Sequence, residues 1–96
     1  MVNAYSVGKS ITAATVLTQV AAGTLDLDAP IRGVWPAYDV HGKGSTTLRQ
    51  LLSHQAGLPG IRRRVGNEKV FDFDAIAGAL AAERPWWEPV TAHGYH

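Results

Sequence analysis

The chain has no cysteine, which excludes disulfide frameworks, thiolate nucleophiles and cysteine-ligated zinc or iron–sulfur centres. Neither sign of charge dominates: nine Lys and Arg against eight Asp and Glu give +1 with the histidines neutral. That balance supplies no broad pull toward nucleic acid or an anionic membrane. No apolar run approaches the roughly 18 residues of a membrane span, and the N-terminus lacks the basic and apolar regions of a signal peptide. A soluble, cytoplasmic chain without a nucleic-acid partner is the expectation. Strand-like alternation, internal repeats and low-complexity tracts are also missing.

What is present is a 96-residue chain, 46% hydrophobic and 18% charged, a composition that fits one small globular unit. A chain this short builds only a modest core, so a pocket walled on all sides is hard to form. Apolar residues at Ile11, Ala14, Leu17 and Ala21 predict a helix over 11–22, with Gly23 as its left-handed cap. "TLDLDAPI" and the Gly- and Pro-rich "GVWPAYDVHGKGST" read as extended or irregular connections, the second pinned by burial of Trp35 and Tyr38. Thr47 and Gln50 have capping-box spacing ahead of Leu48, Leu51 and Leu52, and Gly57 with Pro59 closes that second helix. A third helix is predicted from about Asp74 to Glu83, capped by Asp72 or Asp74, with Phe73, Ile76, Ala77 and Leu80 inward and Pro85 as the stop. The connections are long for a compact domain.

The stretch Ser6-Val7-Gly8-Lys9-Ser10 at the mouth of the first helix admits three readings. A phosphate-binding loop needs a glycine five residues before Gly8, where Asn3 stands, and a buried strand upstream. A nucleophile and base need a serine and lysine three apart, on one helix face, which is the spacing of Ser6 and Lys9. The positive end of the helix dipole disfavours a protonated amine there, and backbone amides, that of Ser6 included, face a developing oxyanion. In the third reading Ser6 caps the helix and Lys9 is solvated. On these few residues alone the third reading is favoured.

His54 reads as a helix-end histidine bonding the last carbonyls, with general base as the alternative. His93 and His96 have a zinc-compatible spacing, but no third ligand clusters with them, so neither a metal nor a cofactor is expected. Trp86 and Trp87 read as loop anchors, and Arg62-Arg63-Arg64 as a solvated loop between glycines.

Taken together, "YSVGKSITAATVLTQVAAGTLDLDAPI", "TTLRQLLSHQAGLPG" and "PWWEPVTAHGYH" resemble the β-lactamase-like serine hydrolases, nearest to family VIII carboxylesterases and class C β-lactamase relatives. The resemblance implies that Ser6 is the acylated nucleophile, that Lys9 assists proton transfer, and that Tyr95 helps deprotonate the serine and protonate the leaving group. It implies a small-molecule ester as substrate, since "WPAYDVHGKG" and "GYH" look like the esterase-like branch, with β-lactam or other acyl donors behind it. "LLSHQAGLPG" is a family landmark that positions a loop near the site, and glycine is common where Val90 stands.

The family also has strands ahead of the serine helix and a later strand bearing a Lys/His-Thr/Ser-Gly motif. Here five residues precede Ser6, one follows Tyr95, and Lys43-Gly44-Ser45 is both the wrong motif and upstream of the tyrosine. The expectation is therefore a mostly α chain with long loops, residues 1–96 forming one partial piece of the α+β β-lactamase/transpeptidase-like fold, its antiparallel sheet largely missing. Such a piece is expected to be inactive or weak alone, the alternative being a catalytically dead fragment or helical interaction module.

Overall fold

Local capping chemistry sets several of the helix ends in the computed structural model, which describes residues 2–96. Helix α1 spans Gly8–Ala21 and is entered through a 3-10 turn, Tyr5–Val7. It stops at Gly23 (φ 75°), whose N–H donates to the Val20 carbonyl at 3.0 Å while Thr24 N–H donates to that of Gln19 at 3.0 Å. Paired bonds of this kind need a left-handed residue, and glycine takes that conformation without a Cβ penalty.

Helix α2, Leu48–Leu52, is held by the predicted capping box. Gln50 N–H donates to Thr47 Oγ1 at 3.3 Å, and Thr47 N–H to Gln50 Oε1 at 3.1 Å. Helix α3, Phe73–Ala82, is capped by Asp72, which accepts from Ala75 N–H at 3.0 Å. Among the described residues the β pairing is a single antiparallel bridge, Pro30 to Thr47. The expected architecture, mostly helical with long loops, is observed.

The core sits away from α1. Ile31, Tyr38, Leu58 and Ala81 are buried together, and Trp35, Leu48 and Leu51 pack against them. This joins α2 and α3 to the 3-10 turns Ile31–Gly33 and Pro36–Tyr38. Helix α1 buries no residue fully, and its predicted stripe lies open, with Ile11 65% and Leu17 48% exposed. Ala13, Val16 and Val20 are the half-covered positions instead. Periodicity identifies a shared face but not whether anything packs on it. Phe73, expected inward, is 81% exposed at the first turn of α3, on the rim of an apolar cavity of about 270 Å³ that Ile76, Ala77 and Leu80 line from within.

Lys43 is the polar centre of this core. Its side chain is fully buried, and Nζ donates to the carbonyls of Ala81 (2.8 Å), Glu83 (2.8 Å) and Val40 (3.2 Å) while lying 4.9 Å from the centre of the Tyr38 ring. One ammonium thus satisfies orphan carbonyls at the C-terminal end of α3 and ties them to the preceding loop. Burial holds its pKa below the usual lysine value, opposed by the Glu83 charge. Arg62 makes a second clamp by pairing with Glu83 at 2.9 Å, donating to the Arg84 and Pro85 carbonyls and stacking 5.0 Å from the Trp86 ring. All three arginines are exposed, but Arg62 adds a carboxylate contact to the solvated-loop reading.

Leaving buried carbonyls unpaired costs about 1–3 kcal/mol. Lys43→Met is therefore expected to lower the thermal unfolding midpoint by roughly 5–15 °C, followed by circular dichroism. An unchanged midpoint contradicts the role given to this lysine.

Candidate active site

Ser6 lies in the 3-10 turn that opens α1. The residue before it, Tyr5, is left-handed (φ 44°), a conformation that is costly for a bulky side chain, and its N–H donates to Asn3 Oδ1 at 3.0 Å. Backbone strain of this sort persists only where local structure over-determines it. One turn on, Lys9 Nζ donates to Ser6 Oγ at 3.2 Å. Three-residue spacing has placed the amine and the hydroxyl in contact, as expected.

Tyr95 reaches the same place from the opposite end of the chain. Lys9 Nζ lies 5.3 Å from the centre of its ring. The phenol is held below the ordinary tyrosine value of 10.0, first by the Ser6 hydroxyl and then by the Lys9 charge, with slight burial opposing. Both effects favour phenolate. All three residues that the resemblance singled out, Ser6, Lys9 and Tyr95, are therefore clustered.

No strand carries Tyr95; a turn does. After α2 the chain passes through His54 (φ 57°) and Gly57 (φ 76°), both left-handed, and this turn presents its carbonyls to the segment 86–94. Trp86 N–H donates to Gly57 O at 2.7 Å, Val90 N–H to Gln55 O at 3.0 Å, and Gly94 N–H to His54 O at 3.1 Å. A Cβ on Gly57 would collide with the Trp87 carbonyl, and one on Gly94 would press into the Trp87 ring. Trp87 itself is fixed by its indole N–H donating to Ala92 O at 3.1 Å, a bond within the loop rather than to the core. Val90 adopts φ 65°, where a β-branched residue is strained and glycine is not.

His54 departs from expectation. Its backbone N–H bonds the Leu51 carbonyl at 3.1 Å, but its ring turns away from the helix end and packs against Tyr95, with centroids 4.8 Å apart and planes tilted by 59°. His96 lies edge-on to it at 4.6 Å and His93 at 6.2 Å. Burial, then the neighbouring His96, His93 and Lys9, holds His54 below the ordinary histidine value of 6.5. The sequence contained a signal for this: a histidine, which tolerates a left-handed backbone better than most residues, placed just before a glycine turn. Among the described residues, no group of three or more metal-ligating side chains is arranged to hold an ion. Beside the site, Lys9, Thr12, Ala13, Leu52, His54 and His96 line an open cavity of about 240 Å³.

Comparison with known proteins points to one family. The Beta-lactamase family pattern matches residues 1–96. The Esterase/beta-lactamase LipL of Mycobacterium tuberculosis is 33% identical over 81 residues, which are 84% of this chain and 19% of the relative. A family VIII carboxylesterase crystal structure superposes with TM-score 0.90 at 41% identity, over 95% of this chain and 25% of that one. A penicillin-binding protein homolog from Caulobacter crescentus gives 0.91 at 37%, over 96% and 25%. EstA from Arthrobacter nitroguajacolicus gives 0.81 at 39%, over 91% and 23%. The chain thus spans about a fifth to a quarter of the relatives it matches, and superposes on one portion of their fold.

In a tyrosine ring-carbon NMR titration, Tyr95 is expected to ionise below pH 10, and Tyr38, whose pKa burial raises, above it. Lys9→Met is expected to move the Tyr95 midpoint upward. A Tyr95 midpoint at or above that of Tyr38 contradicts the described contacts.

Proposed function

The chain belongs to the Beta-lactamase family, and on that premise we propose that it carries the acyl-transfer centre of a serine hydrolase acting on carboxylic esters. The observation that carries this reading is the contact of Lys9 Nζ with Ser6 Oγ at 3.2 Å beneath the Tyr95 ring. Esters are favoured over β-lactams because one of the similar structures is a family VIII carboxylesterase.

Ser6 Oγ attacks the ester carbonyl carbon and loses its proton as the C–O bond forms. Lys9 donates to that oxygen and stabilises the negative charge that builds on it. Tyr95, drawn toward phenolate by both neighbours, takes the proton. The tetrahedral oxyanion faces the Ser6 amide at the start of α1, where the helix dipole is positive. Collapse expels the alkoxide, which takes the proton back from the Tyr95 phenol and leaves as the alcohol. Water then attacks the acyl-Ser6 carbonyl carbon and gives a proton to Tyr95; the C–Oγ bond breaks, Ser6 Oγ takes that proton back, and the acid leaves.

In this reading residues 1–96 form one partial domain, and a second oxyanion donor and the far wall of the substrate site come from outside them. Loss of one such donor lowers turnover by roughly 10²–10³, so the isolated chain turns over esters weakly.

Covalent capture does not need turnover. A fluorophosphonate is expected to add to Ser6, as read by peptide mass spectrometry, with no adduct in Ser6→Ala and at least about tenfold slower addition in Lys9→Met. No adduct on a chain that circular dichroism shows to be folded, or hydrolysis of a p-nitrophenyl ester unchanged in Ser6→Ala, contradicts the assignment.

A further inference from the structure

Tyr95 is 62% exposed, so little packing orients a ring on which the proposed proton transfer depends. Its two ring neighbours are unlike. The Lys9 ammonium lies 5.3 Å from the centroid and the His54 imidazole 4.8 Å from it. His54 also accepts the Gly94 N–H at 3.1 Å through its carbonyl, so a single residue holds both the backbone leading into Tyr95 and the Tyr95 ring. A third contact locks the imidazole: His96 Nδ1 lies 3.3 Å from His54 Nδ1 and 2.7 Å from the Gly94 carbonyl.

We propose that His54 is the positioning residue of this site, its imidazole holding the Tyr95 phenol against the Ser6–Lys9 pair. The role rests on the reading of Tyr95 as proton acceptor. It also accounts for the residue type. The position must be left-handed (φ 57°), to aim the carbonyls of 54–57 at the segment 86–94, and aromatic, to face Tyr95. Asparagine meets the first demand and phenylalanine the second, whereas histidine meets both.

The groups facing His54 are Lys9 from α1, with Tyr95, His93 and His96 from the C-terminal segment. Burial, with the charges of His96, His93 and Lys9 beside it, disfavours the imidazolium.

Two variants separate ring from backbone. His54→Asn keeps the left-handed turn and removes the ring. It is expected to leave the thermal midpoint within a few degrees of wild type, to move the Tyr95 ionisation midpoint up toward the free value of 10.0, and to slow fluorophosphonate addition at Ser6 about tenfold. His54→Phe keeps the ring and strains the turn. It is expected to lower the thermal midpoint while retaining the wild-type Tyr95 ionisation. Tyr95 ionisation unchanged in His54→Asn, or shifted equally in both variants, overturns the proposal. The Tyr95 titration needs no reactive serine, so wild-type protein that resists the probe contradicts the functional reading while the ionisation still decides the role of His54.

Discussion

Three backbone hydrogen bonds between the His54–Gly57 turn and the segment Trp86–Gly94 hold the rest of the site in place. A tyrosine near one end of the chain must meet a serine near the other, and neither a strand pair nor a metal links them among the described residues. The turn does this with two left-handed residues, which point successive carbonyls outward instead of along a helix. Its partner segment is shaped to receive them through the left-handed Val90, the Trp87–Ala92 bond and the close seat of Gly94 on the Trp87 ring. Backbone bonds of this kind have fixed lengths, so they transmit the position of α2 to Tyr95 with little slack.

Position alone does not make chemistry; the charges around the cluster do. Lys9 acts on both oxygens of the pair, donating to Ser6 Oγ and pulling Tyr95 toward phenolate. A second lysine, Lys43, shows the opposite use of the same group. Its ammonium is spent on the Val40, Ala81 and Glu83 carbonyls inside the core, so it holds α3 in place and has no capacity left for catalysis. Burial and partners, not residue type, separate the two roles. The apolar stripe of α1 stays open in these 96 residues, which span about a quarter of the structures they superpose on.

Local chemistry was legible in the sequence wherever cause and effect lie within a few residues. The Thr47–Gln50 box, the Asp72 cap and the Gly23 stop were readable because a cap is decided by the side chain beside it. Ser6 and Lys9 were readable as a pair for the same reason, their contact being fixed by helix pitch. Tyr95 was not readable from its own surroundings and came only through resemblance, because what places it is a turn some forty residues earlier. His54 shows the limit most clearly, since its position suggested a helix-end cap and its left-handed backbone instead swung the ring into the site. Ile11 and Phe73 show another limit: periodicity identified their helices, but Phe73 is exposed rather than inward and α1 turns a different face, Ala13, Val16 and Val20, toward its neighbours.

The central claim is that the 54–57 turn carries Tyr95 to the serine helix, and hydrogen exchange tests it most directly. Gly57 is left-handed, and any Cβ there meets the Trp87 carbonyl, so Gly57→Val strikes the turn without touching Ser6, Lys9 or Tyr95. In wild-type protein the Trp86, Val90 and Gly94 amides are expected to exchange slowly and at similar rates; in Gly57→Val all three are expected to exchange faster together, with loss of the Tyr95–Lys9 proton contact in the NMR spectrum. Persistence of that contact after the three amides are released would contradict the account.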